Sequence, residues 1–86
     1  MIRTKWFLYQ GRVLEVRQRR VMTTFQIWIY EDGQPVGVHS TVRLVDASAG
    51  LARGVDLVSR AMADAVADVL QARFLVDRVP AMAAAE

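Results

Sequence analysis

The dipeptide Asp32-Gly33 places the tightest constraint on how this chain folds. Both residue types tolerate the positive φ angles of a type I′ turn, whose twist matches that of the strands on either side. The flanking segments contain alternating apolar and polar residues, as the strands of a half-buried hairpin do. The sequence therefore predicts an antiparallel hairpin that closes at Asp32-Gly33.

A two-residue turn at this point also sets which residues of the two strands lie opposite each other. Ile29 then faces Val36 and Ile27 faces Val38, on the side that we predict to be the core. The other side of the hairpin is rich in aromatic and polar residues. The residues predicted on that second side are Thr24, Trp28, Tyr30, His39, Thr41 and Arg43.

A third strand is predicted upstream, from Trp6 to Val16, because this stretch is rich in apolar, aromatic and β-branched residues. The sequence Arg-Gln-Arg-Arg at 17–20 is predicted to form the turn to the next strand. Leu14 and Val16 are assigned to the core.

Gly11 lies inside this first predicted strand and favours a β-bulge there, since glycine is common at such irregularities. A bulge changes which side chains point inward. The sequence therefore leaves open whether Phe7 and Tyr9 or Trp6 and Leu8 face the core.

After Val45 the spacing of apolar residues changes from two to between three and four, which is typical of an amphipathic helix. We predict one helix from about Ser48 to Arg78, capped by Asp46 or Ser48 and ended by Pro80. The apolar positions on its inner face are Leu51, Val55, Val58, Met62, Ala65 or Val66, Val69 and Val76.

These elements predict an α+β fold of order βββα, with a three-stranded antiparallel sheet and one long helix packed on one face. Residues 1–80 form a single domain in this interpretation, and residues 81–86 form a flexible Ala-rich tail. No stretch is long and apolar enough to span a bilayer, and the first apolar run is shorter than a signal-peptide core. We therefore expect a cytoplasmic protein without a membrane partner.

Residues that carry chemistry are few. The chain has no cysteine, which excludes disulfides, thiolate metal sites and thiol nucleophiles. Its single histidine, His39, is predicted to lie opposite Gln26 and to have no carboxylate partner. The acidic residues of the helix alternate with Arg60, as on a solvated helix face, and do not suggest a metal site. We expect no enzymatic activity, no metal and no cofactor.

Two features indicate that the chain has a partner. One helix covers only one face of the sheet, so an aromatic face is left open, and such patches mark interaction surfaces. The predicted helix is about 45 Å long and a ten-residue strand only about 33 Å, so the end of the helix should overhang the sheet. The predicted interaction face consists of Trp28, Tyr30, His39, Thr41, Phe74 and Leu75.

A second predicted surface is basic. Residues 1–45 carry seven basic and three acidic side chains, whereas residues 46–86 carry four and six. Antiparallel connection would bring the arginine turn, the end of the third strand and the helix N-terminus to one pole, where anions are favoured. The predicted anion or nucleic-acid site is Arg17, Arg19, Arg20 and Arg43.

The function that the sequence favours is a small non-catalytic interaction module that self-associates as a homo-oligomer. A small core without disulfides often depends on a partner subunit, which supports this prediction. The alternative is a nucleic-acid-binding protein that uses the basic pole and the aromatic open face. A different protein partner is also compatible with the open face.

Overall fold

The computed structural model describes residues 3–74 as an antiparallel sheet of four strands followed by two helices. The fold is α+β, as predicted, but it has one strand and one helix more than predicted. The strands are adjacent in chain order. The elements are β1 (Thr4–Tyr9), β2 (Arg12–Val21), β3 (Thr24–Glu31), β4 (Gln34–Arg43), α1 (Leu44–Ala52) and α2 (Leu57–Leu70).

The additional strand arises because Gly11 lies in a turn. Gln10 and Gly11 have φ angles of 52° and 75°, and Tyr9 pairs with Arg12, so the chain reverses over two residues. Such a turn favours glycine because glycine has no Cβ to clash in the left-handed region. The predicted bulge at Gly11 is therefore wrong.

The arginine-rich segment 17–20 lies within β2 and does not form a turn. β2 continues to Val21, and the reversal into β3 occurs at residues 22–23, where Met22 has a φ of 56°. The alternating side chains of this segment therefore point to opposite faces of the sheet. The predicted turn at 17–20 is wrong.

The hairpin turn at Asp32-Gly33 is confirmed, with φ angles of 53° and 77° and Glu31 paired with Gln34. The register beyond it differs from the prediction because β4 contains two irregularities, opposite Ile29/Tyr30 and opposite Ile27/Trp28. Each one adds a residue to β4 and shifts all later pairs by one.

These two shifts change the residues that face each other across β3 and β4. Ile29 lies opposite Gly37, and Ile27 lies opposite Ser40. Val38 pairs with Trp28, on the face predicted to carry Gly37. The predicted pairing of Gln26 with His39 is also wrong, since Thr41 faces Gln26.

The helical segment is broken at residues 53–56, where Gly54 has a φ of 79° that ends α1. The predicted caps are wrong, because Arg43 precedes α1 without a side-chain cap, and Asp56 caps α2 by accepting from the Ser59 amide at 3.0 Å. At 14 residues, α2 is about 21 Å long, so the predicted overhang is not formed. Pro80 and the tail at 81–86 lie outside the described residues.

Both helices lie on one face of the sheet, where the core forms. Leu14 and Val16 are fully buried, as predicted. On β1, Phe7 and Tyr9 pack against the core, whereas Trp6 and Leu8 are exposed on the other face. The buried core consists of Leu14, Val16, Ile27, Ile29, Ala47, Val58, Met62, Ala65 and Val69.

Candidate interaction surface

The face of the sheet opposite the helices, here called the open face, receives side chains from all four strands. The strand pairing places Trp6, Glu15 and Tyr30 in one row across β1, β2 and β3. The next row contains Arg17 and Trp28. The open face carries Trp6, Leu8, Val13, Glu15, Arg17, Arg19, Gln26, Trp28, Tyr30, Val38 and Thr41.

The most exposed apolar side chains of the open face lie together on β1 and β2. Trp6, Leu8 and Val13 are 62%, 67% and 49% exposed, and Leu8 and Val13 are paired across the two strands. We call these three residues the β1 patch. Apolar side chains grouped in this way are typical of interaction surfaces, whereas single exposed ones are ordinary.

The aromatic residues predicted for this surface, Trp28 and Tyr30, do lie on the open face but are less exposed than the β1 patch. Tyr30 is only 8% exposed, because the Arg17 guanidinium lies 4.1 Å from its ring centroid. Arg19 lies 5.5 Å from the centroid of Trp28, whose indole N–H donates to Gln26 at 2.9 Å. These cation–π contacts make the two rings part of a packed centre.

Glu15 lies in the middle of this packed centre and is 4% exposed. Its Oε2 atom accepts from Arg17 Nε at 2.8 Å, and this hydrogen bond raises the pKa of the guanidinium. Its Oε1 atom is buried and has no hydrogen-bond partner among residues 3–74. The open face therefore contains a buried carboxylate that is only half satisfied.

The two edges of the sheet differ in how well they are protected from pairing with another strand. β4 carries two bulges and Pro35, which lacks an amide donor, and such features prevent strand addition. β1 pairs with β2 in continuous register and has one charged residue, Lys5. Within the described part of the chain, no strand covers the outer side of β1.

The prediction that His39 lies on the open face is wrong. His39 Nε2 lies 2.8 Å from Asp68 Oδ2 on α2, so the imidazole is on the side covered by the helices. The irregularity next to Ile29 causes this difference, because it adds a residue to β4 before His39. Val38 then lies opposite Trp28 on the open face, and the next side chain points to the covered face. The expectation that His39 has no carboxylate partner is wrong for the same reason.

Phe74 also differs from its predicted position. Its ring packs against the core and meets the His39 ring edge-on at 5.3 Å, so it is not an unpartnered side chain beyond the sheet. Leu75 lies outside the described residues. Thr41 is exposed on the open face, as predicted.

His39 connects β4 to the end of α2 through its hydrogen bond with Asp68. An ionised carboxylate only accepts, so Nε2 donates to Asp68, and Nδ1 lies 3.0 Å from the Ser40 hydroxyl oxygen. The hydrogen bond from His39 and the ion pair with Arg73 lower the pKa of Asp68. Ser40 lies opposite the buried Ile27 on the face that the helices cover, so these contacts connect β4 to α2.

The four arginines of the predicted basic pole do not come together. Arg17 and Arg19 lie on the open face, whereas Arg20 is on the opposite side of β2 and donates to the carbonyl of Met22. Arg43 is at the end of β4 and forms an ion pair with Asp46 at 3.0 Å. The predicted cluster is wrong because it depended on a turn at 17–20.

Sequence reasoning did not single out Trp6 and Leu8 as candidate residues. The signal was present at Gln10-Gly11, because a two-residue turn ending in glycine between two apolar runs is itself a hairpin pattern. With the turn at this position, the known inward direction of Leu14 places Phe7 inward and both Trp6 and Leu8 outward.

Comparison with protein-family models, with curated proteins and with solved structures finds no match. Between residues 3 and 74, neither helix has the length and apolar content required to cross a membrane. In the same part of the chain, no group of three His, Asp or Glu side chains is arranged to hold a metal ion.

Proposed function

We propose that this protein is a small non-catalytic interaction module that forms a homodimer through β1. The observation that supports this proposal is the coincidence of two features at one edge of the sheet. The β1 patch is the most exposed apolar group of the open face, and β1 is also the less protected of the two edges of the sheet.

A second copy of the chain satisfies both features at once. Antiparallel pairing of two β1 strands about a twofold axis extends the sheet to eight strands and uses the same surface of both copies. Centred on Phe7, this register places Leu8 of one copy beside Trp6 of the other, on the same face. Lys5 then lies opposite Tyr9, so the two lysines do not repel each other.

The proposal predicts that a charge on β1 prevents association. Leu8→Lys places an ammonium group in the dimer contact. Because the Leu8 side chain is exposed in the single chain, we expect this variant to keep the fold. The matched control is Leu51→Lys, since Leu51 is 59% exposed on α1. Sedimentation velocity should show dimers for the wild type and for Leu51→Lys, and monomers for Leu8→Lys.

A monomeric wild type at high micromolar concentration would contradict the homodimer. Equal dimerisation of the two lysine variants would place the interface elsewhere on the molecule. Circular dichroism of both variants should match the wild type, which separates loss of association from loss of folding.

Nucleic-acid binding is a second candidate, and the observation that favours it is the position of Arg17 and Arg19 on the same face as the exposed Trp6 indole. Stacking of bases on exposed aromatic rings and phosphate contacts by arginines are the usual means of binding single strands. If this role applies, fluorescence anisotropy should show affinity that falls steeply with salt, and Arg19→Ala should flatten that dependence. Absence of association with single-stranded DNA and RNA at low salt would remove this candidate.

A further inference from the structure

Glu15 has a feature that neither the fold nor the proposed dimer explains. Its carboxylate is buried on the face that the helices do not cover, and only one of its two oxygens has a partner among residues 3–74. A buried charged oxygen without a hydrogen-bond donor destabilises a protein. Because such oxygens are rare in folded proteins, the one in Glu15 requires an explanation.

Glu15 has an aromatic neighbour on each adjacent strand, and a cation already lies on one of the two sides. On the β3 side, the Arg17 guanidinium donates to Oε2 and lies over the Tyr30 ring. On the β1 side, Trp6 is the residue directly opposite Glu15. Across the described residues, no cation lies over the Trp6 ring and no donor reaches Oε1.

We propose that Glu15 Oε1 and the Trp6 indole form a binding site for an arginine side chain presented by a partner protein. This site would repeat, on the β1 side, the arrangement that Arg17 makes with Oε2 and Tyr30. The complementary charges are the carboxylate of Glu15 and the guanidinium of the ligand, and the indole supplies a cation–π contact.

Arginine fits this site better than lysine. A guanidinium is planar, stacks on an aromatic ring and is more weakly hydrated than an ammonium group, so less hydration is lost on burial. It also delocalises its charge, which reduces repulsion from the neighbouring Arg17. Two guanidinium groups would then share one carboxylate, each bound to a different oxygen.

Oε1 is not accessible to solvent, so entry of the ligand requires movement of a neighbouring side chain. The Trp6 side chain is the one best suited to move, since it is 62% exposed and lies on an edge strand. The indole would swing outward and close over the guanidinium. Binding should therefore change the fluorescence of Trp6.

The test uses the tripeptide acetyl-Gly-Arg-Gly-amide, with the citrulline tripeptide as an uncharged control of similar shape. Trp28→Phe leaves Trp6 as the only tryptophan of the chain. In this background, and at concentrations where the protein is monomeric, the arginine peptide should give a saturable fluorescence change and the citrulline peptide should not. The result is then independent of the proposed homodimer.

Isothermal titration calorimetry of further variants identifies the residues responsible. Glu15→Gln should weaken arginine binding by about tenfold or more, as expected when a charge-assisted hydrogen bond is lost. Trp6→Leu should also weaken it, and Asp64→Asn, which removes an exposed carboxylate from α2, should not. Equal affinity in Glu15→Gln, or no saturable binding by the wild type, would overturn the proposal.

Discussion

Both faces of the sheet carry apolar residues, but the two faces bury them to very different extents. On the covered face, Leu14, Val16, Ile27 and Ile29 are fully buried against the helices. On the open face, the β1 patch is about half to two thirds exposed, although Leu14 and Val16 belong to the same hairpin. The apolar residues of the covered face are explained by folding of one chain, and those of the β1 patch are not.

The polar residues of the two faces show the same difference. On the covered face, His39 and Asp68 are paired and connect the sheet to α2. On the open face, Glu15 is buried but has one oxygen without a partner within residues 3–74. The covered face is therefore complete within a single chain, whereas the open face has both apolar and polar groups that a partner would satisfy.

The largest expected effect comes from the same truncation on the two faces. Leu14→Ala removes a fully buried side chain and should lower the free energy of unfolding by about 2–5 kcal/mol. Leu8→Ala, on the partner strand of the same hairpin, should lower it by less than about 1 kcal/mol when the protein is monomeric. Urea denaturation at low protein concentration measures both values, and equal losses would refute the assignment of the faces.

A smaller effect is expected at the turn that determines which residues of β4 lie on each face. Gly33→Val should destabilise the protein by about 1–2 kcal/mol, because Gly33 has a φ of 77° and a β-branched residue is strained there. Gln34→Val, one residue later, should change stability by less than about 0.5 kcal/mol. Equal thermal midpoints for the two variants would show that the turn lies elsewhere.

The smallest effect concerns how the free energy of unfolding falls at low pH, to which Asp56 and Asp68 on the helix side contribute. Hydrogen bonds lower the pKa of two aspartates below the ordinary value of 3.8. The main cause is the Ser59 amide for Asp56 and His39 for Asp68. Because the folded values are lower, both carboxylates stabilise the fold above pH 3.8, and this contribution is lost as pH falls through the lowered values.

The double variant Asp56→Asn/Asp68→Asn should therefore be less stable than the wild type at pH 7, and its stability should decline less between pH 4 and about 2. Urea denaturation at a series of pH values measures this dependence. The control Asp64→Asn should follow the wild type. A double variant that retained the full decline would show that other groups cause it.

The sequence was sufficient to predict the turn of the central hairpin and part of the core, whereas Val38 and Leu51, both predicted to face the core, are exposed. The Asp32-Gly33 turn was recognisable because its positive φ angles restrict the residue types, and Leu14 and Val16 were recognisable by alternation. The two bulges of β4 were not predictable, since they depend on how β4 meets β3 and α2. His39 was misplaced because it follows one of these bulges.

The errors in the number of strands and helices had local causes. Gly11 was interpreted as a bulge, although Gln10-Gly11 forms a two-residue turn, and this choice hid a strand. The apolar spacing continued across Gly54, so two helices were predicted as one. Trp28 and Tyr30 are predicted to be open interaction residues because they are aromatic, but Arg17 and Arg19 lie over their rings, a contact between strands that the sequence does not reveal.

The most direct test of the proposed homodimer is a filtered nuclear Overhauser experiment on a mixture of isotope-labelled and unlabelled protein. Only contacts between copies give signals in this experiment. The account predicts contacts between Leu8 of one copy and Trp6 of the other, with antiparallel backbone contacts along β1. Contacts between copies that involve β4 or the helices, and none along β1, would contradict it.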